Sequence, residues 1–314
     1  MVNLILNENM KIYRRTRTWV MIAVMIVIVL FGSFIDWHYD DKETGQATWQ
    51  QQLTERNQQN AKLLTDEKLD QDDKERIQEN IDMNQYQLDH NIHPEGSTMW
   101  SGINGSAQLV LLITLFTVII AGDSLAGEFS SGTIKLLLIR PASRLKILIS
   151  KYVSMIMFGL LLLVILFIVS VLFNGLLYRF ENMNLPLLHL DTAGHIVEKN
   201  MFANLWQSYL LNGVSTIIFV TMAFMISSAF RSSTMAIGFS LFALFAGAIL
   251  MELLHDYDWS RYILFANINL SGYLTGHPYQ KGMTLAFSIK MLAAYYLVFS
   301  LVAWLVFTKR DVAA

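Results

Sequence analysis

Long apolar runs, separated by polar and charged segments, dominate the chain. A helix needs about 20 mostly apolar residues to cross the hydrocarbon core of a bilayer, and six runs are of that order. The runs lack the alternation of barrel strands, and a lipid-exposed backbone must satisfy its own hydrogen bonds, so helices are predicted. The six predicted spans are residues 19–35, 102–122, 146–173, 204–230, 234–254 and 285–307. The pattern therefore predicts an all-α polytopic membrane protein.

Lysine and arginine set the orientation of such a protein. The segments on one side, counted with Lys146 at the start of span 3, carry 11 of these residues, and the two short segments on the other side carry 4. The bias predicts that both termini are cytoplasmic, in a multi-pass protein of the cell membrane, which is expected to be bacterial. The predicted cytoplasmic segments are 1–18, 123–145, 231–233 and 308–314, and the short outside loops are 174–203 and 255–284.

The first apolar run is expected to be retained. It follows a basic segment, but it is longer than the core of a usual signal peptide, and no small-x-small cleavage site follows it. Residues 19–35 are therefore interpreted as a transmembrane helix.

The long segment 36–101 is predicted to lie outside. It holds 15 Asp and Glu residues against 6 Lys and Arg residues. Two stretches, 48–64 and 70–90, have helical character, and a small helical hairpin is expected. A mostly flexible polar loop is the alternative for this composition. Its acidity suits either a solvated loop or the capture of a cationic peptide.

Composition excludes several kinds of chemistry. Hydrophobic residues make up 54% of the chain and charged residues 15%, against about 25% charged in a typical soluble domain. The net charge of −2 gives no indication of nucleic acid binding, and the absence of cysteine excludes disulfides and thiol catalysis. His90 and His93 lack a convincing third ligand. No catalytic, cofactor-binding or metal-binding residue is therefore predicted, and the chain is not expected to be an enzyme.

The segment GEFSSGTIKLLLIRPASR, between spans 2 and 3, is chemically the most varied. Ser130 or Ser131 can cap a short helix, and Pro141 ends it because proline has no N–H and disfavours helix before it. The segment thus predicts about two helical turns, 133–139, at the membrane surface. Such a helix either docks against a partner or lies in the lipid interface.

These residues resemble the signature of the ABC type-2 family of ATP-binding cassette transporter permeases. In that family an E-x-x-x-G-T-x-x-x-L-L-x-x-P-x-x-R pattern follows the second span. The pattern is met here by Glu128, Gly132, Thr133, Leu137, Leu138, Pro141 and Arg144, with Lys151 further on. The N-terminal LILNENMKIYRRTRTWV is similar to the family's amphipathic elbow helix, and it carries Glu8, Lys11, Arg14, Arg15 and Arg17.

The resemblance implies that the segment 123–145 contains a coupling helix that rests on a separate cytoplasmic ATPase. Ser131 and Lys135 lie within this segment and complete the implied coupling residues. The implied function is the permease subunit of an exporter for a hydrophobic drug, peptide or lipid-like substrate, surrounded by membrane lipid. A second permease copy or a related permease would complete the pathway. The alternative is a membrane sensor or scaffold without transport activity.

The nucleotide is expected on the partner. No G-x-x-x-x-G-K-[ST] phosphate loop occurs in the sequence. The resemblance therefore implies that ATP and Mg²⁺ are bound by the partner ATPase, with no cofactor in this chain.

Span 4 carries a polar face. Asn212, Ser215 and Thr216 are at helical spacing, so they either line a path through the membrane or bond neighbouring helices. Asp123, at the end of span 2, is expected to anchor the segment that contains Glu128.

Overall fold

The computed structural model describes residues 1–43, 48–65, 71–96, 98–134, 142–190, 196–274 and 278–309. This part of the chain is mostly helical. Six of its helical segments are long and apolar enough to cross a membrane. They are Thr16–Tyr39, Met99–Ser130, Arg144–Leu177, Met201–Ala229, Ser233–Leu253 and Leu285–Lys309.

Ten α-helices and two strands are described, together with three short 3₁₀ turns between the last two helices. The α-helices are α1 (Val2–Tyr13), α2 (Thr16–Glu43), α3 (Trp49–Leu63), α4 (Gln71–His90), α5 (Met99–Ala107), α6 (Val110–Ser130), α7 (Arg144–Leu177), α8 (Met201–Ala229), α9 (Ser233–Leu253) and α10 (Leu285–Lys309). The strands are β1 (Pro186–Leu190) and β2 (Ile196–Asn200), and the 3₁₀ turns are Asp258–Tyr262, Leu264–Asn267 and Ser271–Tyr273.

Three of the span helices, α2, α6 and α7, extend past at least one predicted boundary. The helix α2 begins at Thr16, inside the segment 1–18, and continues through Glu43, whereas the predicted span was 19–35. The helix α6 ends at Ser130 instead of residue 122, so the first part of the predicted coupling segment is the last two turns of this helix. The α7 helix, Arg144–Leu177, exceeds the predicted 146–173 at both ends. Once a helix is nucleated, each added residue gains a hydrogen bond, so polar flanks prolong it beyond the apolar run.

The fold divides into two compact units. The first contains residues up to Val27, Ala107–Phe167 and the described residues from Ser208 onward. Its core is apolar and closely packed: Phe158 and Tyr209 are fully buried, and the rings of Tyr209 and Phe167 meet edge to face at 5.0 Å between centroids.

The second unit contains Ile28–Ser106 and Ile168–Gln207. The helices α3 and α4 lie where the sequence predicts two helices, and they contact each other through the amides of Asn57 and Asn84, 2.8 Å apart. A capping box begins α3, because Thr48 and Gln51 each bond the other's backbone N–H.

The second unit also contains the two strands, which pair antiparallel with Leu188 opposite Glu198. The described residues are mostly helical, consistent with the predicted all-α membrane protein, and the predicted outside loop 174–203 contains this short hairpin. Ile196 and Val197 supply β-favouring residues to the second strand of this short hairpin.

Candidate functional site

The N-terminal helix α1 presents a charged pair to the first unit. Glu8 is 9% exposed although it is a carboxylate, and Lys11, one turn later, places its Nζ 2.9 Å from Oε1 of Glu8. A carboxylate loses favourable hydration on burial, so Glu8 requires partners inside the fold.

The end of α6 supplies the second carboxylate. Glu128 lies in the last turn of the helix, and Gly132 ends the helical path with φ of +71°. Glycine adopts this left-handed conformation without steric cost. The reversal brings Thr133 back toward the helix, so that its hydroxyl donates to Oε2 of Glu128. The spacing of Glu128, Gly132 and Thr133 thus has a local structural reason.

Lys151 on α7 joins the two carboxylates. Its side chain is 3% exposed, and its Nζ lies 2.9 Å from Oε2 of Glu8 and 3.1 Å from Oε1 of Glu128. Lys11 contacts the same two carboxylates, with 2.9 Å to each. We call these four residues, Glu8, Lys11, Glu128 and Lys151, the Glu–Lys cluster. It connects α1, α6 and α7 through ion pairs.

Ion pairing shifts the pKa values of Glu8 and Lys11, the two α1 residues of the cluster. Burial by itself raises the pKa of Glu8, but the ammonium groups of Lys151 and Lys11 outweigh burial and lower that pKa below its ordinary value. Burial likewise acts to lower the pKa of Lys11, but its bonds to Glu128 and Glu8 raise that pKa overall. Both groups therefore stay charged at neutral pH.

A third carboxylate, Asp123 on α6, forms a separate cluster. Its Oδ2 accepts from Arg15, at 2.5 Å, and from Arg17. Its Oδ1 accepts from the hydroxyl of Ser233, at 2.5 Å, in the first turn of α9. The connection between α1 and α2 is thereby joined to the ends of two further spans. These contacts hold the end of α6, the helix that also carries Glu128.

A cavity of about 410 Å³ lies beside both clusters. Its charged lining consists of Glu8, Lys11, Arg15, Asp123, Glu128 and Lys151, and its apolar lining includes Ile12, Ile120 and Met155. The cavity is therefore amphipathic and lies where the helices α6 and α7 approach one end of their spans.

The hydroxyl of Ser227 contacts the backbone of α6 next to Asp123. Ser227, on α8, is fully buried and donates to the carbonyl of Gly122 at 2.7 Å. Its oxygen accepts from the backbone N–H groups of Leu125 and Ala126, at 3.1 and 3.0 Å. One side chain therefore ties α8 to three backbone groups of α6.

The predicted coupling residues are only partly described. Glu128 and Thr133 bond each other, Ser131 bonds Gly127 and Thr133, and the Arg144 guanidinium donates to the carbonyl of Thr308 at 2.9 Å. Lys135, Leu137, Leu138 and Pro141 lie outside the described residues, as does most of the predicted short helix 133–139.

The predicted elbow residues divide into two groups. Glu8 and Lys11 join the Glu–Lys cluster, and Arg15 and Arg17 bind Asp123. Arg14 is exposed and does not line the cavity. The predicted elbow segment 1–18 contains the helix α1, which ends at Tyr13, and the start of α2 at Thr16.

The polar face of span 4 contacts neighbouring elements. The hydroxyls of Thr216 and Thr114 lie 2.7 Å apart, and Ser215 donates to the carbonyl of Ile268 at 2.5 Å. Asn212 is half-buried. For Ser215 and Thr216 the described contacts favour helix packing over the lining of a path.

Sequence reasoning gave Lys151 and Asp123 less weight than their contacts warrant, and it missed Ser227 and Ser233. A lysine within an apolar run is a recognisable signal, because charges in spans are rarely without partners. Buried serines carry no comparable signal. Among the described residues no group of three or more His, Asp and Glu side chains is arranged to hold a metal ion.

The helices and the polar clusters between them define a multi-pass membrane protein. Residues 76–313 match the family described as "Protein of unknown function (DUF2705)", and the chain belongs to that family. It is 43% identical over 318 aligned residues to "Uncharacterized protein YhcI" of Bacillus subtilis (strain 168), with 100% of each chain covered. It is also 30% identical to "Uncharacterized membrane protein YdbK" of the same organism, over 65% of this chain and 79% of that protein.

Proposed function

We propose that the chain is the membrane-spanning permease subunit of an ATP-driven ABC transporter. In this proposal it exports a hydrophobic drug, peptide or lipid-like substrate across the cell membrane, and a separate cytoplasmic ATPase binds ATP and Mg²⁺. A second copy, or a related permease, completes the pathway.

The observation that carries the proposal is the position of Glu128 in the Glu–Lys cluster. Glu128 bonds Thr133 directly after the helix, Lys11 on α1 and Lys151 on α7. A segment that passes a movement from an ATPase to the spans has to be attached firmly to them. Three contacts from one carboxylate, largely removed from water, supply such an attachment and involve the residues that resemble the family signature.

In the same proposal the Asp123 cluster has a mechanical role. This carboxylate binds Arg15, Arg17 and Ser233, so a displacement of the end of α6 would also displace α2 and α9. Packed helices respond to such a displacement by moving between discrete arrangements. In the proposal, closure of the ATPases shifts the ends of the spans together and changes access to the pathway.

The alternative is a membrane sensor or scaffold. One observation supports this alternative: the second unit contains the paired helices α3 and α4 and the hairpin β1–β2, which offer polar side chains for contact with an outside ligand. Tyr86 on α4 bonds Glu198 on β2, at 3.2 Å, and joins these elements. Co-purification distinguishes the two functions: a transporter recovers an ATPase, and a sensor recovers a signalling partner.

The test is purification of the tagged full-length protein from its native membranes in mild detergent. Mass spectrometry would identify co-purifying proteins, and ATP hydrolysis would be measured in the same samples. The variant Glu128→Gln removes the charge at the centre of the attachment. The matched control is Glu181→Gln, an exposed carboxylate just past the other end of α7.

The expected result is a nucleotide-binding subunit with wild type and with the control. Glu128→Gln is expected to lose it or to leave its ATP hydrolysis unresponsive to the permease. Failure of wild type to retain any ATPase under several gentle conditions would refute the proposal and favour the scaffold.

A further inference from the structure

We propose that the cavity between α1, α6 and α7 binds the phosphate group of an anionic membrane lipid. The lining of the cavity includes Glu128, Ser131 and Thr133, which belong to the proposed coupling segment, but occupation of the cavity by a lipid does not depend on the transporter assignment. The ligand class follows from the balance of hydrogen-bond donors and acceptors in the cavity wall.

Acceptors in the wall are already engaged. Among the described residues both oxygens of Glu8 contact lysines, and those of Glu128 contact lysines and Thr133. Both oxygens of Asp123 accept from arginine or serine side chains. A ligand that offers hydrogen-bond donors therefore finds no carboxylate oxygen without a partner.

Donors, in contrast, are in excess. An ammonium group has three N–H bonds and a guanidinium has five. In the described structure Lys11 and Lys151 each contact two carboxylates, and Arg15 contacts Asp123 through one nitrogen. Each of these cations retains N–H groups. The cavity wall itself holds three cations and three carboxylates. Arg17 binds Asp123 without lining the cavity, and with it the two clusters carry a net charge of about +1.

The shape and surroundings of the cavity favour a lipid as the carrier of the anion. Ile12, Ile120 and Met155 provide an apolar part of the wall beside the charged part. The side chain of Arg15 is 51% exposed and that of Lys11 is 40% exposed, so both can reach a headgroup from the edge of the bilayer. Arginine binds phosphate oxygens through its planar fork of donors.

The test uses the purified full-length protein in detergent after removal of native lipid. Dioctanoyl phosphatidylglycerol would be titrated, and the unfolding midpoint would be followed by tryptophan fluorescence, since a ligand that binds the folded state raises that midpoint. Dioctanoyl phosphatidylcholine, which is zwitterionic, and inorganic phosphate at matched ionic strength would be compared at equal concentrations.

Three variants locate the effect. Arg15→Gln should require about tenfold more phosphatidylglycerol for the same rise in midpoint, because one charge-assisted contact is lost. Arg14→Gln, the adjacent exposed arginine outside the cavity, should match wild type. Ser124→Met places a larger side chain in the cavity wall without removing an ion pair, and it should also weaken the response. It decides the question if Arg15→Gln does not fold.

The outcomes separate the alternatives. Equal responses in wild type and in both cavity variants, or equal losses with Arg14→Gln and Arg15→Gln, would overturn the site. An equal response to phosphatidylcholine would mean a lipid contact without charge recognition, which also overturns it. A response to inorganic phosphate that equals the lipid response would keep the anion site but refute the lipid as its source.

Discussion

The two lysines of the Glu–Lys cluster offer a controlled comparison, because they bind the same two carboxylates at nearly the same distances. Lys11 lies 2.9 Å from both, and Lys151 lies 2.9 and 3.1 Å from them. Their environments differ: the side chain of Lys151 is 3% exposed and that of Lys11 is 40% exposed. Burial is thus the main variable between two otherwise similar sets of ion pairs.

We predict that Lys151→Met lowers the free energy of unfolding by about 3 kcal/mol, the range in which one partner of a buried ion pair is lost. Lys11→Met should cost about 1 kcal/mol or less, because solvent screens a half-exposed ion pair. In both variants Glu8 and Glu128 keep one ammonium partner. The larger cost of Lys151→Met therefore reflects carboxylates that are left undercompensated away from water.

The assay is equilibrium unfolding in detergent, by titration with a denaturing detergent and readout of tryptophan fluorescence. A double-mutant cycle with Glu128→Gln isolates the pairwise coupling, which should be larger for Lys151 than for Lys11. Equal costs for the two lysine variants, or a larger cost for Lys11→Met, would refute the reasoning from burial.

Three further predictions concern single residues. The pKa of Glu8 is lowered in the fold, so the stabilisation it provides is present above its ordinary pKa of 4.5 and is lost as pH falls from that value through the lower pKa of the folded state. Unfolding midpoints measured from about pH 5 to about pH 3 should therefore depend less on pH in Glu8→Gln. Gly132→Ala should destabilise by about 1 kcal/mol because alanine resists a φ of +71°, whereas Gly238→Ala, in a helix with open space around it, should be neutral or stabilising in the same assay. Ser227→Ala should lower the free energy of unfolding by about 2 kcal/mol because it removes the bonds to α6. The control is Ser240→Ala, since Ser240 is also fully buried but its described hydrogen bond lies within its own helix, and it should cost about 0.5 kcal/mol or less. Comparable losses of stability in the two variants would contradict this reasoning.

The apolar pattern was sufficient to predict six helices long and apolar enough to cross a membrane, since long apolar runs without strand alternation favour helices in lipid. Their ends were less predictable. Hydropathy falls at Asp123, and a boundary there is reasonable from the sequence. The helix nevertheless continues to Ser130 because cations from distant segments neutralise Asp123 and Glu128.

The candidate site was predictable in its residue types and not in its pairing. Glu128 and Lys11 are separated by 117 positions, and no local pattern joins residues so far apart. Ser227 was not predictable, because a serine in an apolar helix usually bonds its own backbone. The strands β1 and β2 are short and have no turn signal of the Asn-Gly kind, so the region appeared as a loop.

The 106 to 108 residues that separate Arg17 and Arg15 from Asp123 have a consequence in time. At about 10 residues per second of synthesis, these arginines precede their carboxylate by about ten seconds. During that interval their charges are available to fix the direction in which α2 enters the bilayer. Their neutralisation by α6 would then make the chosen direction difficult to reverse. The chain contains no cysteine, so one cysteine introduced into stalled chains of increasing length would report, by its accessibility, on which side of the membrane it lies. If the direction of α2 is already irreversible before Asp123 is synthesised, the proposed effect of neutralisation by α6 is disproved.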